Sequence, residues 1–321
     1  MDGSGGSGKG RRVLVLGGTG FIGRHAVAAL LQHDCGVVIG SRHPRRIERL
    51  VPDLSDRCEH RQARLERLTD PRDWNHLLAG IDIVVNCVGI LRQRGRETYR
   101  RVHHLAPAAL ARACEDAGVR MIHVSALGLH ASARSRFLRS KLDGENALRG
   151  SGADWRIVRP SLLDGDGGYG AKWLRRVARW PVHPLPADAK GRIAALHVAD
   201  LGEALAKLAL AHTPAGIDGE ERIVELGGEV RYTLADYVAA IRRRTTDRPA
   251  LLLPIPGLLA RIGSHLCDLL HVSPFSFGHW ELLHHDNCPR NNRLPALLGR
   301  APRALGGATA DIGEPRTMPV H

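Results

Sequence analysis

The stretch RVLVLGGTGFIG, residues 12–23, decides the fold. Residues 12–16 read as a short buried strand, and the glycine-rich turn after them opens a helical stretch over 22–34. The turn spaces Gly17, Gly20 and Gly23 as G-x-x-G-x-x-G, between a strand and a helix, the context that gives such a motif meaning. Gly17 permits the tight turn, Gly20 lets backbone approach a pyrophosphate, and Gly23 allows close packing of helix on strand. Thr19, Phe21 and Ile22 complete the turn, and the helix start offers free N–H groups and a positive field to an anion. The spacing predicts a dinucleotide site.

Working outward, GVVIG at 36–40 is a second strand and IDIVVNCV at 81–88 a strong fourth, with a weaker third at 61–65. Helices are expected over 70–78, 99–117 and 136–149, and further strands over 119–124 and 154–158. This alternation demands an α/β fold of Rossmann type, a mostly parallel sheet with helices on both faces. Regularity breaks after Pro160. Helices are expected at 171–180, 197–210 and 233–243 and a strand at 222–226, while 250–300, rich in Pro, His and Leu, is read as wrapping the substrate side. The chain divides into a flexible tail at 1–10, an NAD(P)-binding core at 11–163, a loop and basic helix over the cleft at 164–190, a return to the core at 191–230, a small C-terminal substrate-side lobe at 231–300 and a loose tail at 301–321.

The end of the second strand bears on the cofactor. NAD sites usually place an acid there for the ribose 2′-hydroxyl. This sequence has Ser41 and Arg42, with Arg45 and Arg46 close behind. An arginine fork suits a 2′-phosphate, so NADP(H) is the expected cofactor and NAD(H) the alternative. The net charge of +13 agrees with anionic partners without choosing among them. Aromatic residues are 4% of the chain, too few for a nucleic-acid stacking platform, and no nucleic-acid partner is expected. The six cysteines form no CxxC pairs and are read as free thiols of a reducing compartment. His284, His285, Asp286 and Cys288 cluster in sequence, but adjacent histidines converge poorly on one ion, and no metal is expected.

Several motifs together carry a resemblance. GGTGFIG, NCVG at 86–89, HVSALG at 123–128, SK at 140–141 and VRPS at 158–161 resemble the short-chain dehydrogenase/reductase superfamily, in its atypical, extended branch. SALG, SKLDGE at 140–145 and RPSLLDG at 159–165 resemble proteins related to the nucleotide-binding accessory subunit of respiratory complex I. The resemblance implies catalytic positions at Ser125 and Lys141, but the tyrosine of the family's YxxxK motif is Phe137 here. Phenylalanine has no proton to give, so ordinary carbonyl reduction is not expected, while Lys141 can still hold the nicotinamide ribose. The resemblance further implies cofactor contacts at Val88 and Gly89, at Leu68 on the adenine, and at Pro160 and Ser161 beside the nicotinamide. Arg67 replaces an expected adenine-binding acid, and His103 an expected asparagine.

The stretch AKWLRRVARW places Trp173, Val177 and Trp180 on one helical face with arginines around them. Such a helix suits a lid, an acidic protein partner, a quinone-like ligand or an anionic membrane surface, met through Trp173, Arg176 and Trp180. The resemblance implies an accessory, structural or redox-sensing role in a respiratory or quinone-linked system. The alternatives are an NADPH-dependent oxidoreductase acting on a hydrophobic substrate and a nucleotide-responsive docking module. The expected location is cytoplasmic, or peripheral on the cytoplasmic face of the inner membrane.

Overall fold

The computed structural model describes residues 10–43, 56–211, 221–270 and 275–304. The chain runs through β1 (Arg12–Leu16), α1 (Phe21–Leu30), β2 (Gly36–Ser41) and β3 (Glu59–Gln62). A 3-10 turn at Pro71–Trp74 leads into α2 (Asn75–Leu78), and β4 (Ile83–Asn86) follows. A π-helical turn at Arg100–Leu105 continues into α3 (Ala106–Ala117), then come β5 (Arg120–Val124), α4 (Arg136–Arg149), β6 (Trp155–Pro160) and the two-residue β7 (Leu163–Asp164). Beyond lie α5 (Tyr169–Ala178), β8 (Val182–Pro186), β9 (Leu196–His197), α6 (Val198–Leu210), β10 (Ile223–Leu226) and α7 (Leu234–Arg242). The last elements are β11 (Leu251–Ile255), α8 (Gly257–Leu270), α9 (Phe277–Leu282) and α10 (Leu294–Leu298).

Seven strands form one sheet in the order β10-β6-β5-β4-β1-β2-β3. Every pairing in it is parallel. The order turns back between β1 and β4, which leaves a crevice at their carboxyl ends, the usual ligand position in such sheets. Strand side chains alternate between two cores. Val13, Val15, Val37 and Ile39 join α1, α6 and α10 on one face. Leu14, Leu16 and Val38 join Trp74, Leu77 and α3 on the other. The Rossmann-type architecture expected from the alternation is the one observed.

Element boundaries differ in instructive ways. The third strand lies at 59–62, because Ala63 and Leu65 turn into the core after the pairing ends. The segment 250–300 holds structure that apolar pattern alone did not reveal. β11 pairs in parallel with β8 in a ribbon of its own, α8 and α9 lie beside the crevice, and α10 packs Leu294, Leu297 and Leu298 into the core under α6. Arg45, Arg46 and most of both expected tails lie outside the described residues.

The contact that seats α1 against the sheet is made of backbone. A Cβ at Gly23 would lie 2.1 Å from the Gly17 carbonyl oxygen and 2.8 Å from the Gly18 Cα. Both neighbours are main chain and cannot swing away. Gly23→Ala is therefore expected to cost about 1–3 kcal/mol, the usual toll of overpacking, and to lower Tm in a calorimetric melt. An unchanged Tm would contradict the seating described here.

Candidate functional site

The crevice at the carboxyl ends of β1 and β4 begins with the glycine turn. Gly17 has φ +74°, a left-handed conformation that favours glycine. Its N–H donates to the Gly40 carbonyl of β2 at 2.7 Å. A Cβ there would meet the Val88 side chain at 3.1 Å and the Cys87 carbonyl carbon at 3.4 Å, so the turn runs close under the loop after β4. Gly20 is the N-cap of α1, with no side-chain hydrogen bond and no acid in the first turn. The free N–H groups beside Phe21 and Ile22 thus keep their positive field. Thr19 sits half-buried at the lip of the turn, and Phe21 packs against Gly168 ahead of α5.

At the end of β2, Ser41 is buried and its hydroxyl has no hydrogen-bond partner. Arg42 is half-exposed and ion-paired with Glu97. On the far side of β2, Leu68 packs partly buried against the lower core.

The loop after β4 carries Val88 and Gly89. Asn86, fully buried, accepts from the Val88 N–H at 3.1 Å and bonds the His123 Nδ1 through its amide at 3.1 Å. Burial first, then the Lys141 charge, draws His123 down to about 4 against the opposing pull of Glu145. His103 accepts from the Ile90 N–H at 3.0 Å on Nε2, which leaves Nδ1 to donate to Ser140 Oγ at 3.1 Å. Ser140 in turn donates to the Phe137 carbonyl at 2.9 Å. Burial holds His103 well below its ordinary value, followed by the charge of Lys141. Burial thus favours the neutral form of both imidazoles, and their hydrogen bonds to Asn86, Ile90 and Ser140 help fix the loop.

Phe137 stands in a box of rings. Tyr99 meets it edge-on with centroids 5.6 Å apart, His103 edge-on at 5.5 Å, and His279 of α9 stacks on it at 5.7 Å. Lys141, one turn further along α4, sends its Nζ to 5.8 Å from the Phe137 ring centroid. A Cβ at Gly89 would be 3.9 Å from both Lys141 Nζ and His103 Nε2, so the amine lies directly over the loop after β4. Lys141 is partly buried, with the Phe137 ring and the loop after β4 beside its amine. This desolvation lowers its pKa to about 8, with Glu145 pulling the other way. Glu145 is fully buried and held by Arg159 of β6, whose Nε donates to it at 2.9 Å. That ion pair ties α4 to the sheet and fixes Lys141 in position.

Ser125 follows β5, buried, with its hydroxyl unpartnered. Its N–H is spent on the Val158 carbonyl at 2.7 Å. Pro160 ends β6 in register with Leu226. Ser161 follows β6 and is buried. Its hydroxyl donates to the Asn287 side-chain oxygen at 2.8 Å and accepts from the Ala194 N–H at 3.2 Å. Asn287 also donates to the Leu127 carbonyl at 3.1 Å. It thus staples the ends of β5 and β6 from a segment more than a hundred residues away, a partnership no local pattern could signal.

These residues fit a dinucleotide. A Cβ would fill the cradle at Gly17 and Gly23, two buried hydroxyls, Ser41 at the end of β2 and Ser125 after β5, lack partners, and the Lys141 amine lies over the loop after β4. The basic helix fits its expectation less well. Val177 is buried with Leu174, Trp173 is half-buried against α7, Trp180 lies exposed beyond the helix end, and Arg175 is paired with Asp164 and Asp166. Helical phase places Leu174, not the two tryptophans, at the centre of the buried face. Tyr169 is more than half-exposed at the start of α5. Among the described residues no His, Cys, Asp or Glu cluster could hold a metal, and no helix is long and apolar enough to cross a membrane.

A family model described as NAD(P)H-binding matches residues 17–179. A ceramide reductase of Caulobacter vibrioides is 33% identical over 309 residues, covering 89% of this chain and 90% of that one. Subunit 9 of the NADH dehydrogenase (ubiquinone) 1 alpha subcomplex of Dictyostelium discoideum is 26% identical, over 81% of this chain and 71% of its own. Among solved structures, a dTDP-glucose 4,6-dehydratase of Bacillus anthracis in complex with NAD superposes with a TM-score of 0.64 at 14% identity, covering 92% of each chain. That likeness speaks to the fold.

The buried histidines make stability sensitive to acid. In the unfolded chain an imidazole binds its proton near pH 6.5. In the folded one His123 and His279 hold out to about 4, His279 through burial and then the Arg92 charge, against Asp268. The unfolded state therefore binds more protons below pH 6.5, and stability is lost as pH falls toward 4. Each histidine contributes about 1.4 kcal/mol per pH unit in that window. Tm should fall between pH 7 and 5, and His123→Asn should flatten the slope. A flat wild-type profile would contradict the buried neutral imidazoles.

Proposed function

This chain belongs to the NAD(P)H-binding family within the extended short-chain dehydrogenase/reductase superfamily, and from that premise we propose that it reduces a carbonyl on a long-chain lipid, with Lys141 as the proton donor. One observation carries the reading: the single strong acid–base change at the site, the loss of the phenol at Phe137, is accompanied by a crowded Lys141 whose pKa of about 8 suits proton transfer near neutrality. The match to a ceramide reductase, over 89% of this chain and 90% of that one, supports the substrate class.

In this reading the pyrophosphate rests on Gly17, Thr19, Gly20, Phe21, Ile22 and Gly23. Ser41 and Arg42 hold the adenosine ribose, Leu68 the adenine, and Val88, Gly89 and Pro160 border the nicotinamide half. The bound nicotinamide supplies the hydride. Ser125 donates a hydrogen bond to the substrate oxygen, and Lys141 passes its ammonium proton to that oxygen as the carbonyl carbon is reduced. Solvent then reprotonates the amine through the crevice. Ser161 and Asn287 position the strand ends beneath these groups.

The absence of an acid at the end of β2 favours NADP(H), with Arg42 leaving Glu97 for the 2′-phosphate. Arg42→Ala should then weaken NADPH about tenfold or more and leave NADH nearly unchanged. Equal losses for both would remove the preference.

An accessory or redox-sensing role is the second reading, favoured by Phe137 itself and by the likeness to a respiratory subunit. Turnover separates the two. With a short-chain ketone and NADPH, the rate should fall about tenfold per pH unit above about 8, as Lys141 loses its proton. Lys141→Arg should bind nucleotide but lose at least about a hundredfold in kcat, and Phe137→Tyr should raise the rate by restoring a phenol. Binding of NADPH without oxidation of it by ketone or quinone would sink the reductase and favour the accessory role.

A further inference from the structure

The largest unexplained feature of the surface lies next to the site. On α8, Leu258, Leu259, Ile262, Leu266, Leu269 and Leu270 are all exposed, from 49% at Ile262 to 74% at Leu269. At 100° per residue these six fall within one arc of about 120°. The buried Ala260 and Ser264 occupy the opposite side. The helix is thus amphipathic with its apolar face outward, the reverse of a helix covering a core. In β11, just ahead of the helix, Leu251, Leu252 and Leu253 are also each about half-exposed or more, with Leu251 and Leu253 on one face of the strand. An exposed apolar face of this extent on a water-facing protein marks an interaction surface.

The patch is anchored firmly and beside the crevice. Asp268, on the inner side of α8, is ion-paired with Arg92 and accepts from the Phe277 N–H at 2.9 Å. His265 stacks on Phe277 at 4.4 Å. Two residues further on, His279 stacks on Phe137, inside the aromatic box next to Lys141. From the outer leucines to the site is therefore a short run of packed rings.

What surrounds the patch identifies what covers it. The Leu251 N–H donates to the Pro181 carbonyl at 2.9 Å, which sets the exposed Trp180 at the edge of the leucines. Arg179, Arg248 and Arg261 are exposed on the same elements or directly beside them. A tryptophan and arginines bordering an apolar face are the composition of a helix that lies in a membrane interface. At 14 residues α8 is about 21 Å long, short of the roughly 30 Å hydrocarbon core. It can lie in a bilayer surface but cannot cross it. A second copy would bring one arginine rim against another on a chain of charge +13, whereas anionic headgroups complement that rim.

We propose that the outward face of α8 and β11 seats the protein on an anionic phospholipid bilayer, so that a lipid carbonyl enters the crevice from the membrane past α8 and α9. The seating stands on the patch; the entry of substrate rests on the reductase reading above. It also moves the membrane contact from α5, whose apolar face is turned inward, to α8, with Trp180 retained at the border.

The test is flotation of the full chain with phosphatidylcholine vesicles, with and without phosphatidylglycerol. The wild type should float with the anionic vesicles and about tenfold less with the neutral ones. The double variant Ile262→Asp, Leu266→Asp should lose vesicle binding about tenfold or more, with Tm unchanged because both side chains are already exposed. Three results would overturn the proposal: a wild type that stays unbound, a double variant that floats as well as the wild type, or a wild-type dimer in sedimentation that the double variant turns into monomer. Turnover of a soluble short-chain ketone without vesicles is measured in parallel. Its absence with flotation intact sinks the reductase reading alone, and its presence without flotation sinks the seating alone.

Discussion

The approach of two pieces of backbone, at Gly17 and Gly23, sets the rest of the molecule. It lets α1 start directly over the end of β1. A helix placed there aims its unpaired N–H groups into the crevice where the strand order reverses. The parallel sheet supplies the crevice, since each crossover returns to the same edge and leaves the loops after β1, β4, β5 and β6 side by side. A side chain at Gly23 would separate helix from strand, and one at Gly17 would press on the loop after β4.

Around that fixed point the polar groups divide into those already spent and those left available. Asn86, His123, His103, Ser140, Ser161 and Asn287 are all committed to hydrogen bonds within the protein. Ser41 and Ser125 are not. Buried polar groups are usually satisfied; these two, at the ends of β2 and β5, are among several buried side chains of the described residues that lack a partner, and the carboxyl ends of those strands are where a ligand could supply one. Lys141 belongs with them: burial destabilises its charge, and the Glu145–Arg159 pair holds it nearby at a pKa suited to transferring a proton. Phe137 stands beside that amine within its box of rings.

Much of this was legible in residue order. The glycine turn announced its own context, and the strands β1, β2 and β4 were apolar enough to be read within a residue or two at most ends. The helix over 136–149 was bounded by Ser135, whose hydroxyl caps it, and by Gly150. The pairing of Phe137 with Lys141 came from the resemblance to the YxxxK motif, and the helix over 136–149 sets the two one turn apart. What escaped depended on distant partners. Asn287 clamps Ser161 and Leu127 from the far end of the chain. The exposed stripe of α8 escaped for another reason. A helical apolar period says which residues share a face but not whether that face meets a core or a bilayer, and the segment 250–300 was read only as wrapping the substrate side. The same ambiguity misplaced the buried face of the 171–180 helix, where the wide indoles outweighed the smaller Leu174 that fills the core.

The most direct test of the central claim is a calorimetric titration of the full chain with NADPH, repeated on a protein with both Ser125 and Lys141 replaced by alanine. The account predicts saturable binding by the wild type and a marked loss of affinity in the double variant, because the crevice from the glycine turn to Lys141 is one dinucleotide site. Absence of binding to the wild type would reduce the glycine turn to fold architecture. Equal affinity in both proteins would place the nicotinamide half somewhere other than beneath Lys141.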